Sequence, residues 1–350
     1  MRSQSLGGLL GGLRAGAFLR RYWQKRPLFV RAALPHFAGV VDKRTLAALA
    51  RRDDVESRIV IRRGTRRETA HGPFTRIVLP ENSTLLVNGV NHHVAAAQEL
   101  LQRFAFVPQA RLDDVMVSYA TPGGGVGPHV DRYDVFLLQG PGVRRWRVES
   151  RHYVAHPGDL LYLPPGMRHD GVALEECFTY SIGFRAPRGA ELGAAFLDWL
   201  HERGLPDADY RDAALRPARR AGQVPGELIA FAERLLRRIR WTRRDVERFM
   251  GEYLSEPKAH VVFQPGAGRR ATRAEMRLST VKLDAKTRLF YRGRRFFING
   301  ESFEASARNS ALLRELADRR LADGARLART TLAGLISRWH RLGYVTLEKK

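Results

Sequence analysis

Between residues 113 and 184 short β-rich runs recur, at 115–120, 133–138, 144–148, 159–163 and 179–184, separated by Gly/Pro turns at 122–127, 140–142, 157–158 and 164–166. A stretch punctuated this often has no room for long helices, and several short strands with such turns call for a sandwich or barrel. The expectation here is a double-sheet jelly roll. Upstream, 16–35 reads as a short helix running into an extended segment, with Pro27 as the break. Residues 45–51 and 94–104 read as helices, and 57–61 and 76–79 as strands. Helical periodicity returns after Pro187, at 190–201 and at 226–240, where Leu228, Phe231, Leu235 and Ile239 share a face. From about Pro257 a hairpin (289–292 and 296–298), helices at 310–320 and 327–342 and a strand at 344–348 suggest a winged-helix-like module. The fold class is therefore α+β. The expected domains are a barrel domain over 1–187, a helical linker or dimerisation region over 188–256, and a winged-helix-like basic domain over 257–350.

Composition narrows the function classes. With 44% hydrophobic and 27% charged residues in 350, the chain reads as globular. No run of about 18 apolar residues predicts a membrane span, and the N-terminus lacks a signal-peptide pattern. The single cysteine, Cys177, excludes an internal disulfide framework and a Cys-rich zinc site, and fits a reducing cytoplasm. Lysine and arginine outnumber the acids by 60 to 36, a net charge of +24. Residues 258–350 alone carry 21 basic and 8 acidic residues. That balance favours an anionic partner, nucleic acid or a nucleic-acid assembly, with contact through the basic C-terminal domain. The blander reading is the solvated surface of an arginine-rich chain.

The chemistry gathers in Gly123, Gly124, Gly125, Val126, Gly127, Pro128, His129, Val130 and Asp131. Side chains alternate faces along a strand, so His129 and Asp131 point the same way, one pleat apart. An imidazole and a carboxylate so placed can take adjacent positions on one metal. The glycines leave room for close backbone approach, and no Lys-Ser/Thr follows them as a phosphate loop requires. His169 is the candidate third ligand, at a strand end behind the stiff turn Pro164-Pro165-Gly166. Two histidines and one carboxylate form the facial triad of non-haem iron(II), which leaves positions open for substrate and oxygen. His-x-Asp alone occurs by chance; the signal lies in the combination.

Alternation in 144–148 puts Arg144 on the apolar face with Trp146 and Val148, and sends Arg145 and Arg147 to solvent. A buried arginine is costly unless paired. Its partner is either the distal carboxylate of 2-oxoglutarate, held bidentately, or a protein acid such as Asp134. Ser118 adds a hydroxyl to the same cosubstrate or bonds to backbone. Tyr133 shares the parity of His129 and Asp131, and Asp113, Asp114 and Asp134 lie nearby in sequence; none of the acids is singled out. Zinc or manganese chemistry on the same triad is a competing reading, against which an inward Arg144 argues. A ribosome- or nucleic-acid-binding protein with a vestigial site is another.

These residues resemble the jumonji-C/cupin oxygenases, specifically the bacterial ribosomal oxygenases that hydroxylate an arginine of a large-subunit ribosomal protein. The resemblance runs through 18–28, 71–74 and 113–118, is densest in 122–146 and 157–184, and holds in outline over the second half. It implies a double-stranded β-helix, iron(II) held by His129, Asp131 and His169, and 2-oxoglutarate held by Arg144 and Ser118. It further implies a ribosomal protein substrate, a homodimer formed through the helical region, and a C-terminal winged-helix-like domain. The stretch between Val148 and Pro157 is shorter than the family's pattern, which leaves the exact substrate open.

Overall fold

The computed structural model describes residues 6–64, 66–217, 219–265 and 270–350, in two compact units. The larger unit gathers residues up to 186 with 257–288 and 307–350, and the smaller gathers 187–256 with 289–306. The turns near 187 and 257 thus separate units, but the hairpin expected within 257–350 belongs with the helical segment.

The larger unit is built on twelve strands in chain order: β1 (Leu28–Val30), β2 (Ser57–Arg63), β3 (Arg66–His71), β4 (Ser83–Val87), β5 (Leu112–Ala120), β6 (His129–Val130), β7 (Val135–Gln139), β8 (Arg144–Val148), β9 (Arg151–Ala155), β10 (Leu160–Leu163), β11 (Arg168–Ala173) and β12 (Cys177–Phe184). They form an eight-stranded antiparallel sheet, β1-β10-β7-β12-β5-β4-β2-β3, and a four-stranded sheet, β6-β11-β8-β9. This is the expected double-sheet jelly roll. Val135, Leu137, Leu161 and Leu163 of the large sheet pack on Trp146, Val148 and Ala155 of the small one. The other face of the large sheet carries Phe136, Leu138, Tyr162, Tyr180 and Ile182 against Phe18, Leu100 and Phe104. Strands buried on both faces read as continuous apolar runs, as β7 and β10 do. Strand β8 has one wet face, and its burial alternates as its sequence does.

One expected strand is absent: 76–79 is irregular, and β3 instead closes the sheet edge beside β2. Its exposed side chains include Arg66, Arg67 and Glu68, charges that protect a free edge from pairing with another chain.

Asp134 is fully buried and accepts hydrogen bonds from Tyr162 Oη (2.6 Å), Gln24 Nε2 (3.0 Å) and Arg111 Nη2 (3.5 Å). These bonds tie the N-terminal segment to the barrel. A second polar knot surrounds His92, whose pKa falls to about 3 through burial and then through the charges of Arg288, His93 and Lys258. An imidazole held below its free value is protonated first in the unfolded chain, so its contribution to stability declines as pH falls from 6.5 towards 3. Melting temperatures measured across that range should drop more steeply for the wild type than for His92→Asn.

Residues 279–350 of this unit contain a three-stranded sheet with Ser279–Leu283 between Leu321–Asp323 and Val345–Lys349. They also contain helices Ala307–Arg319, Gly324–Ala328 and Leu332–Arg341. The single helix expected over 327–342 is two. Thr330 Oγ1 donates back to the Leu327 carbonyl and accepts from the Leu332 amide, ending one helix and opening the next.

The smaller unit packs helices Gly189–Glu202, Gly226–Leu236 and Arg243–Ser255 with strands Leu289–Arg292, Arg295–Ile298 and Glu301–Glu304. Glu252 is its polar centre, accepting from Trp199 Nε1, Arg203, Arg248 and Ser302. Gly251 sits so close to the Phe297 ring that a Cβ would collide with it. Leu197, Ile229, Leu236 and Trp241 remain exposed. Among the described residues no helix is long and apolar enough to cross a membrane.

Candidate metal centre

The small sheet brings the three sequence-predicted ligands together. His129 on β6 and His169 on β11 are register partners across an antiparallel pair, with ring centroids 4.2 Å apart. Asp131 follows β6 directly, and its Oδ2 lies 3.9 Å from His129 Nε2 and 3.6 Å from His169 Nε2. One ligand atom from each of the three residues lies within 4.8 Å of the others. The turn before His169 is fastened to this site, since the Gly166 amide donates to the Asp131 carbonyl at 2.8 Å. The glycine run has a concrete reason as well. A Cβ at Gly124 would strike the Ser83 carbonyl, and one at Gly125 the Gly171 carbonyl.

Tautomer and ring orientation are set by backbone. Nδ1 of His129 lies 2.9 Å from the Gly127 carbonyl and Nδ1 of His169 lies 3.0 Å from the Met167 carbonyl. A carbonyl can only accept, so each Nδ1 carries the proton and each Nε2 lone pair faces the shared space, as a metal ligand requires. Burial, assisted by the neighbouring His129, lowers the pKa of His169 and favours the neutral ring that can ligate. Tyr133 lies beside Asp131 and is 41% exposed. Its pKa is pushed up by burial and then by the carboxylates of Asp131 and Asp114.

Arg144 lies four residues along β8 from Val148, the register partner of His169, or roughly 13 Å of strand. It is buried, its guanidinium lies beside the Trp146 ring at 5.6 Å, and Nε and Nη2 find no hydrogen-bond partner among the described residues. Asp134, the protein acid that could have neutralised it, is committed to Tyr162, Gln24 and Arg111. Ser118 is buried on β5, on the face opposite Val117 and Tyr119, and therefore towards the small sheet. Its neighbour Ala120 packs on Ala173, the register partner of Arg144. Thr84 pairs with Ala120 and buries a hydroxyl that also lacks a partner. Sequence reading missed Thr84; a lone threonine in a strand gives no signal until its neighbours are placed. The acids noted in the sequence are taken up by other partners: Asp113 is held by Lys258, Arg185 and Arg288, while Asp114 accepts from the Gly89 amide and lies 3.6 Å from Lys258.

A buried guanidinium with two orphan donors, at one end of a barrel whose other end offers two imidazoles and a carboxylate, fits a dicarboxylate bound between arginine and metal. A jelly roll so equipped defines the JmjC class of oxygenase, and residues 99–156 and 149–192 match the JmjC domain family. Residues 238–345 match the ROXA-like winged helix. The chain is 36% identical over 273 residues to the ribosomal protein uL16 3-hydroxylase of Escherichia coli, covering 71% of this chain and 73% of that one. It is 34% identical over 258 residues to a probable ribosomal oxygenase of Haemophilus influenzae, covering 63% and 62%. The structure of the E. coli ribosomal oxygenase YcfD in complex with cobalt and 2-oxoglutarate superposes with a TM-score of 0.82 at 31% identity, over 96% of this chain and 98% of that one. The chain belongs to the ribosomal oxygenase family. It is accordingly a 2-oxoglutarate-dependent protein hydroxylase that works with iron(II).

Proposed function

We propose that the chain hydroxylates an arginine side chain of ribosomal protein uL16, in the cytoplasm and as a homodimer. We further assign iron(II) to His129, Asp131 and His169, and the distal carboxylate of 2-oxoglutarate to Arg144, Ser118 and Thr84. The observation that carries this reading is the pair of orphan donors on buried Arg144, reached along the same small sheet that presents the triad. Bound iron(II) and 2-oxoglutarate supply the oxidation: one oxygen atom of O₂ enters a substrate C–H bond, and the other enters succinate as carbon dioxide leaves.

The protein's part is position and exclusion of water. Backbone carbonyls face Nδ1 of both histidines, which turns each Nε2 towards the shared site. Trp146, Val148, Leu161 and Leu163 keep the barrel dry, which strengthens every charge interaction inside it. Tyr133 offers an aromatic face beside Asp131, a group suited to an entering guanidinium. The exposed apolar side chains of Leu197, Ile229 and Leu236 support pairing of two copies through the helical segment.

The test is incubation of the full chain with uL16, iron(II) and 2-oxoglutarate, followed by fragment mass spectrometry. A gain of about 16 Da (one oxygen atom) on a single arginine is expected. The same gain on another residue type, or on another basic ribosomal protein and not on uL16, would overturn the substrate assignment.

A further inference from the structure

The proposed reaction leaves the excess of positive charge without a role, and that excess is uneven. Residues 324–347 contain Arg326, Arg329, Arg338 and Arg341 and not one aspartate or glutamate across 24 positions. This stretch folds as helix Gly324–Ala328, a tight turn, helix Leu332–Arg341 and the start of strand Val345–Lys349. In the longer helix Leu332, Ala333, Ile336, Ser337 and Trp339 are buried. Thr331, Gly334, Arg338 and Arg341 are exposed, and their spacing of 3, 4 and 3 residues puts them in one row. Arg329 is exposed in the turn that leads into the helix. A Cβ at Gly334 would meet nothing within 4 Å, so a bulky partner can approach the helix backbone there.

Position in the fold adds an independent argument. The order helix Ala307–Arg319, strand Leu321–Asp323, two helices, strand makes Leu332–Arg341 the second helix of a helix-turn-helix, the one that in such motifs lies against a nucleic-acid groove. Arginine near a helix C-terminus also complements the helix dipole. That accounts for Arg338 and Arg341 but not for Arg329 ahead of the helix, nor for the missing acids. Some exposed arginines of the unit have carboxylate neighbours, as in Arg52–Asp54, Arg63–Glu68 and, within this stretch, Arg326–Glu315. Arg329 and Arg341 form no ion pair among the described residues.

We propose that the face formed by Arg329, Arg338 and Arg341 around Gly334 docks on the phosphate backbone of double-helical RNA. Three forked cations around an open glycine suit a row of phosphates. The choice of RNA among polyanions rests on the reading that the substrate is a ribosomal protein.

The test uses the full chain and a fluorescein-labelled RNA duplex of about 20 base pairs, a length that spans successive grooves, with anisotropy followed over a series of salt concentrations. Combined Arg329→Ala, Arg338→Ala and Arg341→Ala should weaken binding at least roughly tenfold and reduce the log–log salt slope by about 3, near one per lost contact. Circular dichroism and melting temperature confirm that the variant is folded, and its turnover on a uL16 peptide should match the wild type. Unchanged affinity and slope in the folded variant would overturn the proposal. So would tighter binding of a DNA duplex of the same sequence, or of polyglutamate, than of the RNA. If binding falls as expected but neither protein turns the peptide over, the substrate reading fails and the docking surface stands.

Discussion

Asp131→Ala should abolish succinate formation, with a loss of at least roughly a thousandfold, well beyond the 10–100-fold typical of residues that only support a ligand. The physical reason lies in the geometry. Oδ2 of Asp131 lies 3.6–3.9 Å from both imidazole Nε2 atoms, so it is the one anionic donor in the trio. Removing it leaves two neutral imidazoles that can occupy only two positions on a cation and do nothing to offset its charge. Iron bound after anaerobic reconstitution should fall in parallel, while the melting temperature of the metal-free protein changes little, because Asp131 makes no core contact. Retention of full turnover would show that the triad is wrongly assigned.

Arg144→Ala should raise the KM for 2-oxoglutarate by roughly 100-fold or more. Two charge-assisted hydrogen bonds at about 1.5–3 kcal/mol each correspond to roughly 10²–10⁴-fold in affinity. At saturating cosubstrate kcat should recover most of its value, since the lost bonds hold the remote carboxylate and not the reacting atoms. Arg144→Lys keeps the charge but not the fork and should fall between the two. The variant should also melt no lower than the wild type, because truncation removes a buried charge whose Nε and Nη2 have no protein partner. A KM unchanged in Arg144→Ala would remove this residue from the cosubstrate site.

Much of this was legible in the chain because the decisive features are local. Alternation in β8 placed Arg144, Trp146 and Val148 on one face, and the structure buries those three while exposing Arg145 and Arg147. The glycine run announced close backbone approach, and Gly124 and Gly125 each meet a particular carbonyl; the Pro-Pro-Gly turn announced a fixed placement of His169, and its Gly166 amide is tied to the Asp131 carbonyl. What stayed hidden depends on long-range pairing. Strand β11 carries His169, yet Arg168 to Ala173 includes a glycine and an aspartate, which mask its β character until β6 and β8 flank it. Thr84 acquires meaning only because β4 lies beside β5. The helix Arg243–Ser255 is different: its capping box, Thr242 with Asp245, and the helical spacing of Val246, Phe249, Met250 and Tyr253 both stand in the sequence. The hairpins of 289–306 could not have been given to the smaller unit from periodicity, since the closure of Phe297 on Gly251 joins residues far apart in the chain.

The most direct measurement is anaerobic titration of the metal-free protein with iron(II) in the presence of 2-oxoglutarate, in wild type and in His169→Ala, followed by admission of oxygen and quantification of succinate with and without uL16. The expected result is about one iron per wild-type chain, as a single facial triad allows, succinate formation that depends on uL16, and loss of both tight iron binding and turnover in the folded variant. Wild-type protein that binds neither iron nor 2-oxoglutarate, or a His169→Ala variant that binds and turns over as the wild type does, would contradict it.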